Sequence, residues 1–456
     1  MSEPVPSRDA SLPQQSDVVV IGAGLSGLTA ARRLRKLGRD VAVIEAQDRI
    51  GGRVKRVRSE SGESLEAGGE FIGLHMSAIL GLVEELGLTI VPLPAEGKVV
   101  RLEEGERVVE AYPFETAPEV LRAAAGPAEI LDAMARQIPV EAPWEAVQAA
   151  EWDSSTVATW LEANVQDPLA RAMTASAFHF TGGDAHEISL LFGLWLMRSM
   201  GGWESWSHGV THVVRTGTSG VVDALAAEIP NGIFCEARVR RVEHAGPGCV
   251  VHTDRGSVRC RVLVVAIAPQ LCARISWEPA LPVARDRLQS RYTAGHGVKF
   301  IALYDTPWWR DEGLSGLVVG DEPIPVMMDI SDPDLLTGRL LGLSSLTSQV
   351  AGQFSEVLSD EKRAGELFIE RAVAGLGPRA ADFREVHVFN WSGDAFSTGA
   401  GVGLAPGVLS AVGYALREPC GPILWAGAEA GAPQCDWMEG AVSAGERAAR
   451  EAVALL

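Results

Sequence analysis

The segment from Asp17 to Glu45 constrains this chain more than any other. Asp17–Ile21 reads DVVVI, an apolar β-branched run suited to a parallel strand covered on both faces. Gly22-Ala23-Gly24-Leu25-Ser26-Gly27 follows, then Leu28–Leu37 with apolar residues at helical spacing, stopped by Gly38. Val41–Glu45, VAVIE, is a second strand of the buried type. Together they form a βαβ unit of about 30 residues. Its glycines fit G-x-G-x-x-G: Gly22 for a tight turn, Gly24 for close approach of a pyrophosphate, Gly27 for packing of helix on strand. The helix N-terminus then offers unpaired N–H groups and its positive end to phosphates. Glu45 stands where a carboxylate accepts hydrogen bonds from ribose hydroxyls, and it would repel the 2′-phosphate of NADP. Just downstream, Gly52 permits backbone approach and Arg53 can neutralise a pyrophosphate through paired bonds.

Length and composition bound the rest. The 456 residues are enough for two or three domains, and 47% hydrophobic with 22% charged is an ordinary globular balance. The net charge of −19 excludes nucleic acid as a natural partner, because phosphate backbones need basic patches. No run reaches the roughly 18 apolar residues of a membrane span, and the greasiest, Ser189–Met197, reads as a buried helix. Residues 1–15 read as a loose leader with no secretory signal. Six cysteines lack C-x-x-C spacing and any metal-like pairing with histidine, so they read as reduced thiols of a cytoplasmic protein without a metal. His179, His186 and His208 receive no role.

Helical patterns dominate residues 91–212, which hold six of the twelve tryptophans, enough aromatic surface for a second core. Strand texture returns at Ile233–Val242, Val250–Thr253 and Val262–Pro269. A mixed segment runs from Ser276 to Phe389, and the chain closes with a strand, Ile423–Ala426, and a helix from Met438. The expected fold class is α/β: a Rossmann-like cofactor domain assembled from residues 16–90, 213–276 and 390–456. An α+β substrate domain, residues 91–212 and 277–389, is inserted into it.

GAGLSG, VIEAQDRIGGRV and LEAGGEFIG resemble the N-terminal pattern of the flavin-containing amine oxidases, which share a glutathione-reductase-like FAD fold. ILWAGAEAGAPQCDWMEGAVSAGERAAREAV resembles that family's closing motif, and VKFIALYDTPWWR its central one. The resemblance implies that Gly22, Gly24, Ser26 and Gly27 line the pyrophosphate, Glu45 holds the adenosine ribose, and Arg53 reaches the phosphates. It places Gly68 and Gly69 beside the flavin, the Val239 backbone at the adenine, and Gly427 and Glu429 at the ribityl-phosphate arm. Met438, Gly440 and Ala441 open the last helix at the pyrimidine end, where a helix N-terminus favours the negative charge of reduced flavin.

Lys299 is a lysine inside an apolar strand-like run, where one is unexpected. The resemblance implies that it holds a water against flavin N5 and assists reaction with oxygen. Trp391 would pack beside the flavin. Ala400 stands where some members carry a cysteine bonded to the cofactor, so FAD is expected to be non-covalent. Trp437 matches one of two aromatic walls flanking the substrate; the other falls at Gly401, with Phe396 or Phe178 as substitutes. The implied activity is oxidation of a small amine by hydride transfer to flavin N5. The imine is then hydrolysed, and O2 reoxidises the flavin to give hydrogen peroxide. A C–C desaturase of the same superfamily is the alternative, and Lys299 and Trp437 discriminate against it. The oligomeric state stays open, a homodimer included.

Overall fold

The computed structural model describes residues 11–456 apart from 104, 112–117, 180–183, 204, 206–209, 333, 335 and 345–347. His208 and the side chain of His179 lie outside the described residues. The first strand, β1 (Gln15–Ile21), begins two residues ahead of Asp17. Leu12 packs on the core beside it, and Gln14 accepts a backbone bond from Arg259. Residues 12–15 of the expected leader are therefore part of the sheet and its cover.

β1 is buried because its two faces meet two cores. Val18 and Val20 point into a cluster shared with α1 (Leu25–Lys36) and the helix Met438–Leu455. Val19 and Ile21 point into a second cluster on the opposite face, with Ala237, Val239 and Trp425. That two-sided burial makes the run continuously apolar instead of alternating. β2 (Val41–Ile44) pairs parallel to β1, and Gly38 ends α1 with φ +74° and its N–H on Arg35 O.

Among the described residues the sheet has eight strands. Its central order is Ile233–Phe234, β2, β1 and Gly256–Val265, all parallel, followed by Cys249–Thr253, Val239–Glu243 and Ser276–Glu278. Gly256–Val265 is long enough to serve two neighbours on one edge. Its first half pairs antiparallel with Cys249–Thr253 and its last three residues pair parallel with Ile423–Trp425. Strands from three distant stretches of chain thus build one Rossmann-like sheet, the fold class expected from the sequence.

A second, seven-stranded sheet carries Val298–Tyr304 between Glu385–Asn390 and Gly338–Leu343. Every residue of that strand is buried, and the helix Glu361–Leu376 covers it with Phe368 stacked on Phe300 at 5.1 Å. A helical core surrounds Trp195, Phe192 and Phe178, all fully buried. Ser189 caps the helix Leu190–Ser199 there by accepting from Phe192 N. No helix among the described residues is long and apolar enough to cross a membrane.

Candidate active site

One cavity of about 570 Å³ runs between the two sheets, within the size range of small-molecule and cofactor sites. The loop after β1 forms part of its wall. Gly22 has φ +101°, and a Cβ there would lie 2.9 Å from Ala266 O, so glycine is required. α1 starts behind Gly24 with no side-chain cap, leaving its first N–H groups for a ligand. The second glycine loop lies alongside, with Gly51 N–H on Ala23 O at 2.8 Å.

Glu45 is 6% exposed and on the cavity wall. Its carboxylate accepts from Ala23 N and Gln47 N, each at 2.8 Å, which leaves lone pairs for further donors. Burial pushes its pKa up, against those two bonds and the nearby Arg49 charge. Ala237 N–H bonds Glu45 O, so the Val239 segment adjoins this end of the cavity.

At the other end, Lys299 is 6% exposed as the second residue of the buried strand Val298–Tyr304. Its ammonium donates to Gly68 O and Glu70 Oε1, both at 2.9 Å. An interior strand position rules out a lysine that snorkels to solvent from a sheet edge. Trp391 stands next to this group, donating from Nε1 to Ala67 O at 2.8 Å. Glu66, one turn of chain earlier, accepts from Thr218 and Ser219 at a helix N-terminus. Burial pushes its carboxyl up, with Glu70 adding to the effect.

The helix Met438–Leu455 also starts at the cavity without a side-chain cap. Glu439 does not close it. Its carboxylate turns away to cap the helix Ser77–Glu85, accepting from Ala78 N and Ile79 N at 2.9 Å. Trp437, Met438 and Ala441 are on the cavity wall, while Gly440 packs against the 431–434 loop behind it.

Of the expected residues, Gly22, Gly24, Ser26, Glu45, Gly52, Arg53, Gly68, Gly69, Val239, Lys299, Trp391, Trp437, Met438 and Ala441 share this one wall. Gly27, Gly427, Glu429 and Gly440 stand just behind it. Gly27 abuts the Gly22 carbonyl, and Glu429 binds Arg53 Nη2 at 2.7 Å. The substitutes named for the second aromatic wall need correction. Phe178 is buried in the helical core against Gly193, away from the cavity. Phe396 lines the cavity but lies under Arg238, near Gln47 and Glu45. Phe71 also stands by Lys299, its ring centre 5.9 Å from the ammonium. Sequence reasoning also missed Glu70 and Asp436, the second of which binds Arg53. The acidic side chain after Gly68-Gly69 was the only local signal for the first.

Residues 25–453 match the family described as flavin containing amine oxidoreductase. The chain belongs to that family. This flavin-containing amine oxidoreductase is 32% identical over 455 residues to the flavin-containing amine oxidase A of Equus caballus, covering 95% of this chain and 84% of that protein. It superposes with TM-score 0.91 on a putrescine oxidase structure bound to putrescine, at 29% identity, covering 98% of this chain and all of that one. Cyclohexylamine oxidase from Brevibacterium oxydans IH-35A gives TM-score 0.89 at 29% identity, covering 96% of this chain.

FAD is the cofactor of this flavin-containing amine oxidoreductase, and its activity is FAD-dependent amine oxidation. The cavity fits the cofactor on its own geometry. It offers two uncapped helix N-termini and, beside one of them, a buried carboxylate with lone pairs to spare. Replacing Glu45 with alanine is expected to weaken FAD retention by about 1.5–3 kcal/mol through lost charge-assisted bonds. Fluorescence of FAD released on dilution measures it; unchanged affinity would detach Glu45 from the ribose.

Proposed function

We propose that this cavity oxidises a small amine with oxygen as electron acceptor, and that FAD is held without a covalent bond. FAD bound here would supply the redox chemistry, accepting a hydride equivalent from the amine α-carbon and passing the electrons to O2 to give hydrogen peroxide. The imine product is hydrolysed by water to a carbonyl compound. Residues 16–90, 213–276 and 390–456 would hold the cofactor, and residues 91–212 and 277–389 would shape the amine's side.

Lys299 carries the reading. A buried ammonium on the cavity wall is a fixed donor and charge where oxygen becomes negative, and it needs no reorganisation there. Trp437 and Phe71 offer aromatic faces to the carbon frame of the amine. Gly401 leaves the wall open where a second flanking ring would stand, which favours a substrate bulkier than a flat arylalkylamine. The uncapped N-terminus behind Trp437 would favour the negative charge of reduced FAD. Ala400, on the same wall, presents a methyl group that cannot form a thioether. Free cysteines support a cytoplasmic location.

Anaerobic titration with a panel of amines tests the reading. A cognate amine is expected to bleach the flavin absorbance, and air to restore it with one peroxide per amine. A flavin that no amine reduces would overturn the activity. Acid precipitation is expected to leave yellow FAD in the supernatant; colour retained by the pellet would contradict non-covalent binding.

A further inference from the structure

Arg53, placed to meet the cofactor's phosphates, is already gripped by two carboxylates. Nη2 binds Glu429 Oε1 at 2.7 Å and Nη1 binds Asp436 Oδ1. The Glu429 and Asp436 side chains are 2% and 5% exposed, so water disperses neither charge. The two carboxyls also meet each other. Glu429 Oε2 is buried, and among the described residues no N–H or hydroxyl donor reaches it. Two ionised carboxylates cannot satisfy that contact, whereas one proton between them does. The backbone holds the pair in place: Asp436 has φ +69°, a region that asparagine and aspartate tolerate better than most residues, and its N–H bonds Ala428 O at 2.9 Å.

We propose that Glu429 and Asp436 share one proton, and that this proton sets how tightly the site holds FAD. With it, one guanidinium and two carboxyls are neutral together. Without it, the cluster carries one negative charge beside the phosphates that Arg53 should meet, and Arg53 is cancelled twice over. The inference rests on Arg53 serving the pyrophosphate.

Burial, with Glu429 adding to it and Arg53 opposing, pushes Asp436 up to about 7. Other ionisable groups facing the pair do not titrate in that range. Burial raises Tyr292 of the strand Tyr292–Ala294 and Cys435, next in the chain to Asp436, well above their usual values. Cys272 of the short helix Pro269–Cys272 is pushed up to about 11. Arg285 of the helix Val283–Arg291 faces Glu429, and Arg417 faces Cys435; both remain guanidinium cations.

The sign follows from linkage. FAD brings negative phosphates, so the pair holds its proton more strongly in the complex than in the free protein. Affinity is therefore highest below the free-protein value. It falls as pH rises from about 7 towards the complex's higher value, by up to about tenfold per unit, with one proton taken up per FAD bound.

Dilution of the holoenzyme between about pH 6 and about pH 9, with released FAD read by fluorescence, measures the dissociation constant across this window. The parent is expected to lose about tenfold in affinity per unit above about pH 7. Asp436→Asn fixes the low-pH charge state and suits the left-handed backbone, so it should keep the parent's low-pH affinity throughout. Glu429→Gln makes the same charge change from the other carboxyl and should flatten the curve too. A flat parent curve, or an unchanged slope in both variants, overturns the proposal. Arg53→Met separates the two layers. Weakened binding at about pH 6 upholds the role of Arg53, so that a flat parent curve then faults the shared proton alone. Unchanged binding there overturns the inference through Arg53 itself.

Discussion

Lys299→Met is expected to slow the reaction of the reduced enzyme with oxygen on the order of a hundredfold. A preorganised donor where charge forms on a reacting oxygen is worth about 2.7–4 kcal/mol. Reduction by the amine should change less, because that step depends on how the amine is oriented. The single substitution has a second consequence. It leaves Glu70 buried with its cation gone, and breaking one side of a buried pair costs about 3–5 kcal/mol of stability. Lys299→Met combined with Glu70→Gln removes both charges and should recover most of that stability. Stopped-flow measurement of each half-reaction in parent, single and double variants separates chemistry from folding. Equal reaction with oxygen in the parent and the double variant, with FAD bound, would leave Lys299 a purely structural cation.

Gly27→Ala comes next in size. A methyl group there would overlap the Gly22 carbonyl and sit 3.2 Å from the Ala266 side chain. Relief requires α1 to lift from the sheet or the 22–24 loop to move into the cavity. Overpacking of this kind costs about 1–3 kcal/mol. Taken from the binding step, that is a loss of FAD affinity of roughly five- to 150-fold. Fluorescence titration with FAD measures the loss, and circular dichroism checks that the fold persists. Parent-like affinity would show that helix packing at Gly27 does not govern the cofactor loop.

What the sequence made legible was local. Gly22, Gly24 and Glu45 lie within one βαβ unit, whose chemistry can be read from spacing because the backbone alone brings them together. Lys299 stood out as a charge inside an apolar run. Its partner did not, because Glu70 is 229 positions away and only the folded chain brings the two together. The same holds for Asp436, 383 positions from Arg53. Phe178 and Phe396 illustrate the opposite error: an aromatic residue of suitable size says nothing about which core its helix or loop will face. Phe71 follows Glu70 directly and reaches the cavity because the glycines before it carry the chain along the cavity wall.

Ser26 near the start of the chain donates to the carbonyl of Ala426, 400 positions later, and Gly445 of the last helix nests against the backbone of α1. On the ribosome, the first βαβ unit emerges long before its counterpart. Until residues 423–455 arrive, one edge of Gly256–Val265 and one side of α1 stay uncovered, and the cavity lacks a wall. Pairings of such sequence separation are slow to form, because the loop between them must close first. Capture of the cofactor is therefore a late event in the life of the nascent chain, and the unclosed sheet edge is the surface that must be kept from other strands meanwhile.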